Sequence, residues 1–194
     1  SMILVLTAPK VSIPSESVRP SGRDAGQFAR QADLVDQDKL ISLGFIVIGT
    51  GSLGSHIVHQ LAMLGAEHIQ VYDADEVEPH NLSVQLFDKR SVGLPKVDAL
   101  QRVIRHMHNV EIRTHNRLFT EKDDVVGILI SAVDDMEARK IIFNKVENNF
   151  NVKLYIDTRA VGFVGSIFAP NHLDKKESKD FKSEWLFDNK DAAP

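Results

Sequence analysis

The sequence predicts a Rossmann-like α/β fold: a mainly parallel sheet with helices on both faces and an antiparallel edge. Three observations lead there. Short, β-branched apolar runs alternate with stretches of helical periodicity, which is the signature of βαβ units. The glycine pattern "GTGSLG" at 49–54 lies directly between the first such run and a helix. Two extended runs, 153–159 and 164–170, then follow one another with no helical stretch between them, as an antiparallel pair at a sheet edge would.

Taken in order, residues 1–22 hold most of their prolines and serines in "TAPKVSIPSESVRPSG" and read as an extended N-terminal arm. From Asp24 to about Leu43, the spacing of Phe28, Ala32, Val35 and Leu40 predicts an amphipathic helix, with Asp24 as its N-cap. "GFIVIG" (44–49) is continuously apolar, as expected of a strand buried on both faces. Leu53, Ile57, Leu61 and Leu64 mark a helix closed by Gly65. "HIQVYD" is the second strand, and Val97, Leu100, Ile104 and Met107 mark a helix opening at Pro95. Strands at "VEIRTHN" and "VVGILISAV" come next, then a helix with Ala138, Ile142, Val146 and Phe150 on one face. Residues 23–170 thus read as one α/β domain. Residues 171–194, dense in Lys, Asp and Glu, read as a solvated tail or the start of a crossover segment that is cut short.

Composition narrows the function classes. A net charge of −4 over 194 residues argues against nucleic acid as the main partner. There is no cysteine, which removes disulfides, thiolate zinc sites and cysteine nucleophiles from this chain and suits a cytoplasmic location. The apolar run "MILVL" is too short to cross a membrane. The eight histidines show no metal-ligand spacing, and His106 and His108 read as surface residues.

The chemistry concentrates around the glycine loop. Gly49 permits the tight turn, Gly51 lets the backbone approach a phosphate, and Gly54 lets the helix pack closely on the strand. The helix N-terminus then offers free N–H groups and a positive dipole end to an anion. Asp73 ends the second strand, nineteen residues after Gly54, where an acid meets ribose hydroxyls in dinucleotide-binding folds. An NAD(P)-dependent oxidoreductase would explain that much, but not Asp75, and the chain leaves little length for a substrate domain.

"GTGSLGSHIVHQLAMLGAEHIQVYDADEVEPHNLSVQ", "GLPKVDAL" and "ISAVDDMEAR", in that order, resemble the ThiF/MoeB/HesA adenylyltransferases, bacterial relatives of ubiquitin-activating enzymes. The resemblance runs from about residue 28 to 169 and implies ATP with Mg²⁺ rather than NAD. It implies attack on the α-phosphate by the C-terminal carboxylate of a ubiquitin-like or sulfur-carrier protein or peptide, giving an acyl-adenylate. By position, Asp73 would take the ribose, Asp75 and Asp134 would flank the metal, and Asn81, Gln85 and Lys96 would face the phosphates. Arg30 matches an arginine that such proteins supply across a homodimer interface. The residue types are coherent with that chemistry. A C-terminal carboxylate, with a pKa near ~3.5, is already ionised at neutral pH, so the site must neutralise charge rather than remove a proton. Lys96 in the first turn of a helix, unfavourable by dipole, also points to a phosphate role.

The sequence departs from the resembled pattern in two places. Val84 stands where N-L-x-R-Q places an arginine, so bidentate phosphate recognition is missing unless Lys89, Arg90 or Arg159 supplies it. The absent cysteine leaves no thioester or persulfide chemistry within these residues. A non-catalytic nucleotide-binding or dimerisation module is therefore the alternative reading. Two local ambiguities also remain open. Asp134 ends a buried strand but is placed to cap the next helix, and Asp157 and Arg159 either pair or face the incoming substrate.

Overall fold

The computed structural model describes residues 26, 28, 31, 34–161 and 164–186. The expected N-terminal arm, Asp24, Arg30 and Ala32 lie outside the described residues, as do 187–194. Six strands form one sheet in the order β3-β2-β1-β4-β5-β6. They are β1 (Gly44–Ile48), β2 (His68–Asp73), β3 (Arg113–Asn116), β4 (Gly127–Ser131), β5 (Val152–Val161) and β6 (Val164–Phe168). β1 to β5 run parallel, and β6 pairs antiparallel with β5, so the expected edge is present.

β1 shows why a continuous apolar run means a central strand. Its odd residues, Phe45 and Val47, join a core with Val58, Ala62, Leu100 and Ile104 from helices α2 (Ser52–Leu64) and α3 (Lys96–His108). Its even residues, Ile46 and Ile48, join a second core on the opposite face. That core contains Ile142 and Phe143 of α4 (Met136–Val146), Tyr155 of β5 and Phe181 of α5 (Lys175–Trp185). Both faces of β1 are covered, so neither tolerates a polar side chain.

Helix boundaries follow local chemistry. Gly65, at φ +105°, closes α2 in the left-handed conformation that glycine adopts without strain. The expected helix from 24 to 43 is, in its described part, only α1 (Gln37–Ser42). Asp36 caps it by accepting from the Lys39 N–H at 3.1 Å, so Val35 precedes the helix rather than lining it. α4 stops at Val146 because Glu147 leaves the helical conformation with ψ 126° and Asn148 takes φ +58°. Phe150, expected on the buried face of that helix, is therefore 83% exposed.

The expected solvated tail is corrected for residues 171–186. Asp174 caps α5 by accepting from the Lys176 and Glu177 N–H groups at 2.9 and 2.8 Å. Phe181 packs against Phe143 with ring centroids 4.8 Å apart, and Ser178 is small enough to lie flush against the domain. One aromatic and one small residue anchor a helix whose other faces are charged, so composition alone suggested a tail. His108 is likewise corrected: it is half-buried against His59 of α2, not a free surface residue. Among the described residues, no helix is long and apolar enough to cross a membrane.

Candidate nucleotide site at the sheet's carboxyl edge

β1 and β4 are neighbours whose outgoing helices cover opposite faces, so a crevice opens beyond their carboxyl ends. The glycine loop occupies that point. Gly49 adopts φ +89°, and a Cβ there would stand 2.6 Å from the carbonyl oxygen of Ala132. A Cβ on Gly54 would run into the Gly49 carbonyl oxygen, so the start of α2 rests directly on the turn. Gly51 differs: the nearest atom to a Cβ there is Gln85 Nε2, 4.0 Å away. It is the N-cap of α2, no side chain caps it, and the first turn holds no acidic residue. That leaves first-turn N–H groups beside open space, as an anion site requires.

Asp73 is built into the loop it serves. Its Oδ2 accepts from the Thr50 N–H at 2.7 Å and the Thr50 hydroxyl at 2.8 Å, while Oδ1 accepts from the Asp75 N–H at 2.9 Å. Thr50, fully buried, was not singled out in the sequence. A carboxylate has about four accepting positions, and three are taken, so a ligand hydroxyl finds one left.

Asp75 and Lys96 are joined by a laced segment. The Val77 N–H donates to the Leu94 carbonyl and the Gly93 N–H to the Val77 carbonyl, each at 2.9 Å. The Lys96 N–H reaches the Asp75 carbonyl at 2.9 Å, and Lys96 Nζ donates to Asp75 Oδ2 at 2.8 Å. The lysine side chain is 10% exposed and that of Asp75 69%. Asp75 therefore offsets the cost of placing a cation at the N-terminus of α3. The residue pattern alone did not show this partner.

Asn81 lies in a 3-10 turn, Pro79–Ser83, opened by a capping box with Glu78. Asn81 Oδ1 accepts from the Glu78 N–H at 2.9 Å, and the side chain is buried. Its Nδ2 has no hydrogen-bond partner among the described residues. Gln85 closes the same segment, with its buried Oε1 unpartnered and its Nε2 beside Gly51. The turn is tied to α2 by the Leu86 N–H, which donates to Ser55 Oγ at 3.2 Å. Val84 is 54% exposed and supplies no charge.

On the other side of the loop, Asp134 is exposed and lines a cleft of about 70 Å³ with Ser52, Val133, Arg139 and Thr158. It does not cap α4. That duty falls to Asp135, whose Oδ2 accepts from the Ala138 N–H at 2.7 Å. Asp157 and Arg159 pair, with Arg159 Nε donating to Asp157 Oδ2 at 2.7 Å. Arg139, which the sequence reading passed over, donates to the other Asp157 oxygen and to the Val133 carbonyl. Arg159 Nη1 also donates to the Trp185 carbonyl at 2.8 Å.

The residues thus fall into two groups. Asp73, Asp75, Lys96, Asn81 and Gln85 stand on the β2 side, and Asp134 stands on the β4 side, with the loop between them. The donor set fits a nucleotide and a hard cation. The open space at Gly51 and the Gln85 Nε2 donor beside it suit phosphate, and the two carboxylates suit Mg²⁺ shared with phosphate oxygens and water. Among the described residues, no group of three or more His, Cys, Asp or Glu could cage a metal on its own. Of the expected substitutes for the missing arginine, Arg90 is held by Asp88 at 2.7 Å and Arg159 by Asp157. Lys89 is exposed at the start of a short 3-10 turn.

Three comparisons bear on this arrangement. The family model described as ThiF family matches residues 24–193. The NEDD8-activating enzyme E1 catalytic subunit of Arabidopsis thaliana is 36% identical over 103 residues, covering 50% of this chain and 23% of that protein. The adenylyltransferase and sulfurtransferase MOCS3 of Culex quinquefasciatus is 30% identical over 134 residues, covering 63% of this chain and 31% of the relative. The structure of E. coli MccB with ATP superposes with a TM-score of 0.59 at 20% identity, covering 73% of this chain and 46% of that one, a likeness of fold. The chain spans less than half the length of each of these proteins. With the match to the family model covering most of its length, the chain belongs to the ThiF family.

Proposed function

We propose that this chain carries the adenylation site of an Mg-ATP-dependent adenylyltransferase, acting on the C-terminal carboxylate of a ubiquitin-like or sulfur-carrier protein or peptide. One observation carries the reading: the Asp75–Lys96 pair joins a loop whose helix N-terminus is uncapped and whose open side at Gly51 faces the Gln85 Nε2 donor. That is a place for phosphate, which a nicotinamide-binding crevice has no need to furnish with a buried lysine. The relatives, named as activating enzymes and as an adenylyltransferase, support the same reading.

In this proposal Asp73 accepts from a ribose hydroxyl at its remaining position. The first turn of α2 and the amides of Asn81 and Gln85 hold phosphate oxygens. Asp75 and Asp134 would hold Mg²⁺, which supplies charge neutralisation for the leaving pyrophosphate. Lys96 then exchanges the Asp75 carboxylate for phosphate oxygen, so its buried charge stays paired throughout. The incoming carboxylate needs no general base, because it is ionised at neutral pH. Arg30 of a second copy in a homodimer, and a cytoplasmic setting, complete the proposal.

Val84 favours a second reading, a nucleotide-binding or dimerisation module without turnover. Arg90 and Arg159 are both engaged by carboxylates, Arg159 keeping only its buried Nη2 without a partner. Pyrophosphate exchange into ATP, run with candidate carrier proteins bearing a free C-terminal glycine, separates the two. Exchange that depends on the carrier supports the enzyme. ATP binding without exchange supports the module, and magnesium-independent nicotinamide binding would instead restore the NAD(P) oxidoreductase.

A further inference from the structure

Away from the glycine loop, His59 in the middle of α2 and His108 at the last position of α3 meet side chain to side chain. His59 Nδ1 and His108 Nε2 are 2.9 Å apart, with ring centroids 4.8 Å apart and the ring planes tilted by 46°. Both residues are half-buried between the two helices. Two imidazole nitrogens bound to one metal, each at about 2.0–2.1 Å, stand about 2.9 Å apart at a right angle and about 3.4 Å apart at the tetrahedral angle. At 2.9 Å the observed pair has the right-angle spacing, and on binding the two rings would turn from facing each other to facing one ion.

We propose that His59 and His108 form an open-sided binding site for a borderline divalent ion such as Zn²⁺, Ni²⁺ or Cu²⁺, with water in the remaining positions. Imidazole suits these ions, whereas Mg²⁺ prefers oxygen, so the site is distinct from Asp75 and Asp134. Binding replaces the hydrogen bond between the rings. His59 ligates through Nδ1 and His108 through Nε2, and each neutral ring keeps its single proton on its other nitrogen. No proton is released. The ring that donated the hydrogen bond changes tautomer through solvent. The ion would bolt α2 to α3, the two helices whose N-termini present the glycine loop and Lys96.

The test uses Zn²⁺ alone, titrated into the metal-free protein at pH 7.5 by calorimetry. One equivalent should bind in the micromolar range. Affinity should fall at least tenfold in both His59→Gln and His108→Gln, yet stay unchanged in His56→Gln, His106→Gln and Asp75→Ala. Because either glutamine variant could perturb helix packing, ¹⁵N-histidine spectra of the unaltered protein provide an independent readout. Zn²⁺ should shift His59 Nδ1 and His108 Nε2 and leave the other imidazoles in place. Binding that survives either substitution, shifts at other histidines, or no binding below 1 mM (about −4.1 kcal/mol) overturns the site and leaves the pair an ordinary hydrogen bond.

Discussion

Two cation–carboxylate systems flank the glycine loop, and they are built for opposite ends. On the β4–β5 side, Asp157 is fully buried between Arg139 and Arg159, and the guanidinium groups also reach the carbonyls of Val133, Thr158 and Trp185. On the β2 side, Lys96 is held by a single carboxylate that is mostly exposed. A buried, multiply bonded ion pair is costly to open, whereas a pair with one wet partner is not. The contrast separates the charges that brace the sheet from those free to meet a ligand. It also holds Arg159, close in sequence to the expected site, to Asp157 and the Trp185 carbonyl.

Experiments can break or sharpen that contrast. The largest effect belongs to Arg139→Met. It removes one of two partners from a fully buried carboxylate and should lower the unfolding free energy by about 3–5 kcal/mol, read from urea denaturation. Lys96→Met should cost about 10²- to 10³-fold in pyrophosphate exchange. Its stability should fall by no more than about 1 kcal/mol, since its partner is solvated. If Lys96→Met instead unfolds the protein while Arg139→Met leaves it stable, the two roles are reversed. Gly54→Ala should destabilise by about 1–3 kcal/mol, because the added methyl meets the Gly49 carbonyl, and ATP binding should weaken with it.

Smaller effects come from the periphery. Burial depresses the His108 and His115 pKa values below 6.5, so the unfolded chain binds protons more readily than the folded one. Their contribution to stability is complete above pH 6.5 and declines as pH falls through the depressed values. His108→Gln should flatten the slope of stability against pH in that acidic window. Arg90→Ala should change stability by less than about 0.5 kcal/mol, because its bond to Asp88 is exposed. A large loss of exchange in Arg90→Ala would show that this arginine leaves Asp88 to serve the phosphates.

Much of this was legible before any coordinates. The runs 44–49 and 125–133 announced central strands because burial on both faces leaves little room for polar residues. The glycine loop was legible because Gly49 and Gly54 answer local steric demands, while Gly51 leaves open space at the helix N-terminus. Helix α5 was less so, since a single buried aromatic, Phe181, does not make a periodic stripe. Its cap was nonetheless written in "DKKE", where Asp174 precedes Glu177 by three residues.

The sequence by itself determined the alternation of strands and helices, the antiparallel edge, the loop and the acid that ends β2. These depend on neighbours a few residues apart, where periodicity and glycine sterics act. Only the tertiary structure decided which carboxylate two buried cations meet: Asp75 for Lys96, and Asp157 for Arg139. It also set Asp135 rather than Asp134 at the cap of α4, and brought His59 against His108. Those pairings join residues up to 49 positions apart. Partner choice at that range is set by strand order and helix packing, which no local pattern of charges encodes.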